Sequence, residues 1–135
     1  MKLFLFTDGG SRGNPGPAAY GFVVKSTAGI ILGKRGNYLG LTTNNIAEYE
    51  GLLAGLKWVV EHHPHAELII KMDSLLIVNQ IKGLFKVKNP GLLPRYQEVR
   101  GLIARLPKYS IEHTYREGNA LADKLVNLAL DNHTS

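Results

Sequence analysis

The most restrictive feature of this sequence is a short apolar run, Glu67–Met72, that lies between two segments with helical periodicity. Its near-continuous apolar character predicts a strand that is buried on both faces. A strand that is separated from its neighbours by helices pairs in parallel, through right-handed crossovers. The chain is therefore expected to contain a sheet with parallel strands, packed against helices.

The remaining elements follow from the spacing of apolar residues. Strands are predicted over 2–7, 19–25, 30–38 and 109–115, and helices over 45–60, about 75–82, 93–106 and about 119–130. The turn Ser26–Gly29 makes the second and third strands a hairpin, so the first three strands are expected to be antiparallel. The order βββαβααβα predicts an α/β fold with a mixed five-stranded sheet flanked by helices.

Composition sets the class of protein. A chain of 135 residues that is 44% hydrophobic is expected to form a single domain, over residues 1–135. The absence of cysteine excludes disulfides and thiolate zinc sites, and no apolar run is long enough to span a membrane, so a cytoplasmic protein is expected. The formal net charge of +5 favours an anionic partner.

Four acids stand where predicted elements begin or end. Asp8 and Asp73 each follow an apolar strand, and Glu48 and Asp123 lie in the first turns of helices. Ligands of open α/β sheets bind beyond the carboxyl ends of parallel strands, where Asp8 and Asp73 are expected to be neighbours. The four carboxylates could therefore converge on one site.

Each acid also has a purely structural explanation. Asp8 could be a turn residue before two glycines. Glu48 could form a variant capping box with Asn45, Asp73 could be a helix N-cap, and Asp123 could complement a helix dipole. The sequence alone leaves these alternatives open for each acid taken singly.

Convergence of the acids would require cations, because four neighbouring carboxylates repel one another. Mg²⁺ is the natural candidate, since it prefers hard oxygen ligands and commonly shares its coordination shell with substrate phosphates. A pair of such ions, roughly 4 Å apart, is a known arrangement for phosphodiester cleavage. If the four acids converge, they are therefore expected to surround divalent cations of the kind used in phosphodiester cleavage.

Four segments carry a resemblance to a known family. They are TDGGSRGNPGPAAYG, TTNNIAEYEGLLAGL, MDSLLIVNQIKG and REGNALADKLVN, and each contains one of the four acids. In order, spacing and local context the chain resembles type 1 ribonuclease H from about Phe4 to Ala129. The resemblance implies the ribonuclease H-like fold, with sheet order 3-2-1-4-5, and endonucleolytic cleavage of the RNA strand of RNA/DNA hybrids.

The resemblance also implies roles for individual residues. The catalytic, metal-binding carboxylates would be Asp8, Glu48, Asp73 and Asp123, with two Mg²⁺ ions and Mn²⁺ as a possible replacement. Substrate contacts would come from Gly9, Gly10, Asn14, Thr43, Asn44, Asn45 and Arg116. The glycines could instead serve only a turn, and Thr43 or one residue of the Asn44-Asn45 pair could instead cap a helix.

The chain departs from the family pattern in three places. Larger relatives have a basic protrusion near residues 82–94, where this chain has only Lys82, Lys86, Lys88 and Arg95 as candidate phosphate contacts. The loop before Asp123 lacks the histidine of many relatives, which makes Arg116 the better candidate for a phosphate contact, and His113 is expected to be structural. Leu75 stands where several relatives have a polar residue.

Two other functions would suit this fold. One is a binding module that holds hybrids or double-stranded RNA without cutting them, and the other is a polynucleotidyl transferase acting on DNA. The intact set of four acids disfavours the first, and the Asn44-Asn45 pair disfavours the second. The expected partner is an RNA/DNA hybrid, without a membrane or protein partner, and a monomer is the default.

Overall fold

The structure, a computed structural model, describes residues 1–134. Five strands and four α-helices follow one another along the chain. They are β1 (Lys2–Ser11), β2 (Gly16–Ser26), β3 (Ile31–Thr42), α1 (Asn44–His62), β4 (Glu67–Met72), α2 (Leu75–Ile81), α3 (Leu93–Ile103), β5 (Lys108–His113) and α4 (Ala120–Thr134). A short 3₁₀ helix, Arg116–Asn119, leads directly into α4.

The five strands form one mixed sheet in the order β3-β2-β1-β4-β5. β1, β2 and β3 pair in antiparallel fashion, while β4 pairs in parallel with both β1 and β5. The Ser26–Gly29 turn is closed by a hydrogen bond from the Gly29 N–H to the Ser26 carbonyl oxygen, at 3.0 Å. The predicted element order, strand directions and α/β fold class are confirmed.

Helices cover the two faces of the sheet unequally. Gly51 of α1 lies against Tyr20 of β2, whereas the next residue of β2, Gly21, lies against Ala122 of α4. Because successive strand residues point to opposite faces, α1 and α4 pack on opposite sides of the sheet. The main core fills the α1 side, and a smaller cluster of Ala19, Val126 and Leu130 lies under α4.

The prediction that β4 is buried on both faces is wrong. Leu68, Ile70 and Met72 are fully buried, but the alternate residues Glu67, Ile69 and Lys71 remain partly exposed. The reason is that α4 packs against β1, β2 and β3 and leaves the same side of β4 uncovered. An apolar run predicts a buried strand, but it does not show whether a helix covers both faces of that strand.

Several predicted boundaries also shift. β1 continues to Ser11 because it stays paired with β2, as far as Ser11 opposite Ala18, after its parallel pairing with β4 ends at Thr7. β3 likewise extends to Thr42. α3 ends at Ile103, before Pro107, since the chain turns through Ala104–Leu106 with short-range backbone hydrogen bonds.

The absence of a side chain at Gly21 lets α4 approach β2 closely. A Cβ at this position would stand 2.6 Å from the Ala122 carbonyl oxygen and 2.9 Å from Cβ of Leu125. Both atoms belong to the helix that carries Asp123, and a carbonyl oxygen cannot move away without shifting the helix. Gly21 therefore sets the distance between α4 and the sheet.

We predict that Gly21→Ala lowers the free energy of unfolding by about 2 kcal/mol, because the added methyl group overpacks the α4–β2 contact. Chemical denaturation measures the change. The control is Gly101→Ala in α3, where a Cβ would meet nothing within 4 Å and where alanine favours the helix by up to about 1 kcal/mol. Equal stability changes in the two variants would contradict this explanation of Gly21.

Candidate active site

Strand register brings the first two acids together. The last parallel pair between β1 and β4 is Thr7 opposite Met72, so the next residues are Asp8, still in β1, and Asp73, which directly follows β4. Asp8 is not a turn residue, since it lies inside β1 opposite Gly21 of β2. The predicted proximity of Asp8 and Asp73 at this end of the parallel strands is confirmed.

A close contact between α1 and β1 brings in the third acid. A Cβ at Gly9 would collide with the backbone of Ala47 and Glu48, so only glycine allows α1 to lie this near to β1. The Glu48 carboxylate oxygen Oε1 accepts a hydrogen bond from the Gly9 N–H at 2.8 Å. Glu48 is 6% exposed, so its carboxyl group approaches the other acids from the protein interior and not from the solvent side.

The structural alternatives for Glu48 and Asp73 are wrong. α1 begins one residue earlier than predicted, and Thr43 is its N-cap, with Oγ1 accepting from the Ile46 N–H at 3.3 Å. Neither Asn44 nor Asn45 is the cap, and Glu48 falls too far into the helix to form a capping box. α2 is capped by Ser74 rather than by Asp73. Both carboxylates are thus free of capping duty.

Three carboxylates meet at one point. Asp8, Glu48 and Asp73 each offer an oxygen atom, and these oxygens lie within 4.8 Å of one another. The second oxygen of Glu48, Oε2, is buried and has no hydrogen-bond partner among residues 1–134. A buried carboxylate oxygen without a donor is suited to a hard cation, so the donor set fits a divalent metal ion.

The fourth acid lies in the same cleft, outside this cluster. Asp123 is in the first turn of α4, as predicted, and is only partly exposed. It shares a cleft of about 200 Å³ with Asp8 and Asp73, and the remaining walls are Gly9, Gly10, Ser11, Arg12, Asn44, Arg116, Val126, Asn127 and Leu130. The structure therefore brings all four predicted acids to one region and three of them into contact range.

Burial of these acids changes their protonation. The pKa of Asp8 is raised to about 7, mainly because the carboxyl group is removed from water; hydrogen bonds oppose this rise, and the charges of Asp73 and Asp123 add to it. Burial also raises the pKa of Glu48 well above its usual range, and the adjacent carboxyl group of Asp8 raises it further. Without a cation, the cluster therefore retains protons near neutral pH.

A cation from the neighbouring loop acts on Asp73. Burial raises the pKa of Asp73, and the positive charge of Arg116 opposes that rise. His113 acts in the same direction as Arg116, and its ring packs edge-on against Tyr115. Arg116 is exposed and lines the cleft, so its guanidinium is available to an anion in the same place.

The side-chain amides of Asn14 and Asn44 are each held by a backbone N–H group. The Asn14 Oδ1 atom accepts from the Asn44 N–H at 3.0 Å, and the Asn44 Oδ1 atom accepts from the Ser11 N–H at 2.9 Å. A backbone N–H can only donate, so each amide must present its oxygen to the protein and its NH₂ group elsewhere. Neither NH₂ group has a partner in the described residues, and both residues are exposed.

The other predicted substrate residues occupy different settings. Thr43 is partly exposed and its hydroxyl oxygen is used as the cap of α1, while Asn45 is exposed beside it. Gly10 has open space on its Cβ side, with only the Asn44 Oδ1 atom at 3.8 Å. Gly9 faces α1, so packing explains its glycine, and contact of Gly9 or Gly10 with a substrate stays a prediction.

Sequence reasoning missed Asn119. Its side chain is 1% exposed, and its Nδ2 atom donates to the carbonyl oxygen of Thr7, the residue before Asp8, at 2.7 Å. This bond ties the start of α4, and with it Asp123, to the strand that carries Asp8. Nothing in the sequence marks it, because a polar residue before a helix is indistinguishable from an ordinary cap.

The basic residues near the expected protrusion divide into two groups. Lys82, Lys86 and Lys88 are exposed, and no ion pair holds them within the described chain. Arg95, in contrast, donates to Glu50 at 2.8 Å and to the Gly91 carbonyl oxygen at 2.9 Å. Leu75, two residues after Asp73, is 53% exposed and offers no polar group. The lysines are thus better placed than Arg95 to meet an anion.

Among the helices of the described part of the chain, none has the combination of length and apolarity needed to cross a bilayer.

Comparisons with known proteins agree with this geometry. Residues 6–129 match a family described as reverse transcriptase-like. A bifunctional protein of Mycobacterium tuberculosis is 42% identical over 97% of this chain, and ribonuclease HI of Halobacterium salinarum is 37% identical over 96%. This chain spans 36% of the first relative and 65% of the second.

A solved structure is similar over the whole fold. The crystal structure of LC11-RNase H1 in complex with an RNA/DNA hybrid superposes with a TM-score of 0.95 and 40% identity, covering 99% of this chain and 100% of that one. Given the family match and these relatives, the chain belongs to the type 1 ribonuclease H family.

Proposed function

We propose that this chain is an endoribonuclease that hydrolyses the RNA strand of RNA/DNA hybrids. The observation that carries the proposal is the meeting of Asp8, Glu48 and Asp73 within 4.8 Å, with one Glu48 oxygen buried and unpartnered. Such an arrangement is costly to fold without a cation and has no structural duty, since other residues cap the helices. We further propose that residues 1–135 act as one catalytic domain and as a monomer.

The four acids are the proposed metal ligands. Asp8, Glu48, Asp73 and Asp123 would hold two Mg²⁺ ions, with Mn²⁺ as the alternative. When bound, such ions supply positive charge that polarises the scissile phosphodiester and acidifies a water molecule. The carboxylates must then release the protons that burial makes them keep, so metal binding and ionisation of Asp8 and Glu48 are coupled.

Other residues around the cleft position the carboxylates or bind the substrate. The Gly9 N–H fixes Glu48, and the Asn119 side chain fixes the β1 backbone before Asp8. Arg116 is proposed to hold an oxygen of the scissile phosphate, because its positive charge already acts on Asp73. It cannot act as a base, since a guanidinium does not lose its proton.

RNA is proposed to be recognised by donors. The locked amides of Asn14 and Asn44 point their NH₂ groups away from the protein, so they can donate to the oxygen of a ribose 2′-hydroxyl. Thr43 and Asn45, beside them, are proposed to contact the hybrid as well, together with the backbone at Gly9 and Gly10. Exposed Lys82, Lys86 and Lys88 are proposed to contact phosphates in place of a basic protrusion.

We predict that Asp8→Asn lowers the rate of hybrid cleavage by roughly 10³-fold or more, because it removes a ligand charge at the centre of the cluster. The measurement uses end-labelled RNA/DNA hybrid, RNA duplex, DNA duplex and single-stranded RNA, with Mg²⁺ or with EDTA. The wild type should cut only the RNA of the hybrid efficiently, and only with the metal. In EDTA above pH 7 the variant should be no less stable than the wild type, because it no longer buries an ionised Asp8.

The same gel distinguishes the alternatives. Hybrid or RNA duplex that is retained by the wild type but not cut would indicate a binding module. Nicking or joining of the DNA duplex would indicate a polynucleotidyl transferase. Full activity of a folded Asp8→Asn variant at saturating Mg²⁺ would contradict the proposed role of the carboxylate cluster.

We predict that Asn44→Asp lowers kcat/KM for the hybrid by about 10-fold or more, because the outward NH₂ donor becomes an acceptor. The inward oxygen still accepts from Ser11, so the fold should not change. A series of hybrids with single 2′-deoxy substitutions in the RNA strand separates this loss from the added charge. One substitution should slow the wild type and have little further effect on Asn44→Asp.

If every 2′-deoxy substitution slows Asn44→Asp as much as the wild type, Asn44 does not read a 2′-hydroxyl. Asn37→Asp is the matched control, because it adds the same charge at an exposed position of β3 outside the cleft. It should leave kcat/KM within about twofold of the wild type.

A further inference from the structure

A second arginine lines the cleft, and the proposed catalytic arrangement gives it no role. Arg12 lies in the turn between β1 and β2, at the wall formed by Gly10, Ser11 and Asn44. Its guanidinium atom Nη2 donates to Oδ1 of Asp131, near the end of α4, at 2.6 Å. The two side chains are 44% and 60% exposed, so this ion pair is open to solvent.

The two arginines of the cleft act at different places. Arg116 is the strongest opposing charge on Asp73, whereas Arg12 is not among the groups that act most strongly on the protonation of Asp8, Glu48 or Asp73. Arg12 therefore does not serve as a counter-ion of the carboxylate cluster. It is a cation at the edge of the same cleft, outside the metal site.

The contact with Asp131 can be exchanged. Exposed ion pairs contribute little to stability, because water solvates both partners well. A guanidinium has five N–H donors in a planar fork and matches the geometry of a phosphate as well as that of a carboxylate. An incoming phosphodiester can thus replace Asp131 without loss of a structural interaction.

The neighbours of Arg12 indicate which strand it would meet. Ser11, the preceding residue, donates through both N–H and Oγ to Oδ1 of Asn44, and Asn44 itself lines the cleft. A nucleotide whose 2′-hydroxyl is read by Asn44 has its own backbone at this wall. The strand beside Arg12 is therefore the RNA strand.

We propose that Arg12 binds a non-scissile phosphodiester of the RNA strand, and that Asp131 occupies the guanidinium when no nucleic acid is bound. The proposal rests on the proposed hybrid substrate and extends it by a phosphate site beyond the metal centre. Asp131 and the phosphate then compete for one cation. Removal of Arg12 should weaken binding, while neutralisation of Asp131 should strengthen it.

The response to a single neutral linkage separates the proposal from a structural role. If the Arg12–Asp131 pair serves only to hold the β1–β2 turn against α4, a neutral linkage at any one RNA phosphate should weaken Arg12→Ala as much as it weakens the wild type. If Arg12 is a phosphate ligand, the Arg12→Ala and Asp131→Asn variants change affinity in opposite directions, and Arg12→Ala no longer responds to neutralisation of the phosphate that Arg12 contacts.

The test is a fluorescence anisotropy titration of a labelled RNA/DNA hybrid in EDTA, repeated over a range of salt concentrations. Arg12→Ala should bind more weakly, with the slope of log affinity against log salt reduced by about 0.9, the value of one phosphate contact. Asp131→Asn should bind about twofold more tightly with the slope unchanged. Arg105→Ala, which removes an exposed charge outside the cleft, should match the wild type.

An unchanged salt slope in Arg12→Ala, or affinity in Asp131→Asn that is equal to or below that of the wild type, would overturn the proposal. Failure of the wild type to bind any hybrid would instead remove the proposed substrate, and this inference with it. Hybrids with single neutral methylphosphonate linkages then locate the contact. One linkage in the RNA strand should weaken the wild type but not Arg12→Ala, and a response confined to the DNA strand would contradict the assignment to RNA.

Discussion

The structure depends on the crowding of carboxylates into a place where they are poorly solvated. Asp8 and Asp73 are forced together because β1 and β4 are parallel neighbours in a register that ends at Thr7 and Met72. Glu48 comes from α1, which packs on one face of the sheet. This helix can lie close to β1 only because Gly9 has no side chain. Burial and mutual repulsion raise the pKa values of Asp8 and Glu48, so ionising both carboxylates costs free energy. A bound cation would offset this cost.

The surrounding elements of the fold hold the four acids in fixed positions. The rigid sheet holds two acids, α1 holds the third, and α4 holds Asp123 on the opposite side of the sheet from α1. The contacts that fix α4 include the close approach at Gly21 and the hydrogen bond from Asn119 to the Thr7 carbonyl oxygen. Three exposed residues of the cleft wall, Asn44, Arg12 and Arg116, then offer N–H donors and positive charge to a polyanion.

The sequence predicts the arrangement of the fold well and its contacts less well. Apolar spacing and the alternation of strands with helices were sufficient for the element order and the strand directions, whereas the sheet order followed from the family resemblance. The position of Asp8 and Asp73 after apolar strands was sufficient to place them side by side. The extension of β1 to Ser11 depends on pairing with β2, which a propensity argument does not register. The uncovered side of β4 depends on where α4 lies, which an apolar run does not encode.

The roles of side chains at the site were likewise only partly predictable from the sequence. Local alternatives such as a capping box at Glu48 could be rejected only when Thr43 proved to be the cap. The hydrogen bond from Asn119 to Thr7 joins residues 112 positions apart, and the ion pair between Arg95 and Glu50 joins residues 45 positions apart. No local sequence pattern predicts either contact. Contacts that join distant segments are set by the packing of whole elements, and they require the folded structure.

The most direct test of the central claim is the number of protons released when Mg²⁺ binds to the wild type without substrate. Isothermal titration calorimetry in buffers of different ionisation enthalpy measures this number near pH 6.5. The carboxylate account predicts net proton release, which declines as the pH rises above the pKa of about 7 of Asp8. Magnesium binding that releases no protons at any pH between about 5 and 8 would contradict it.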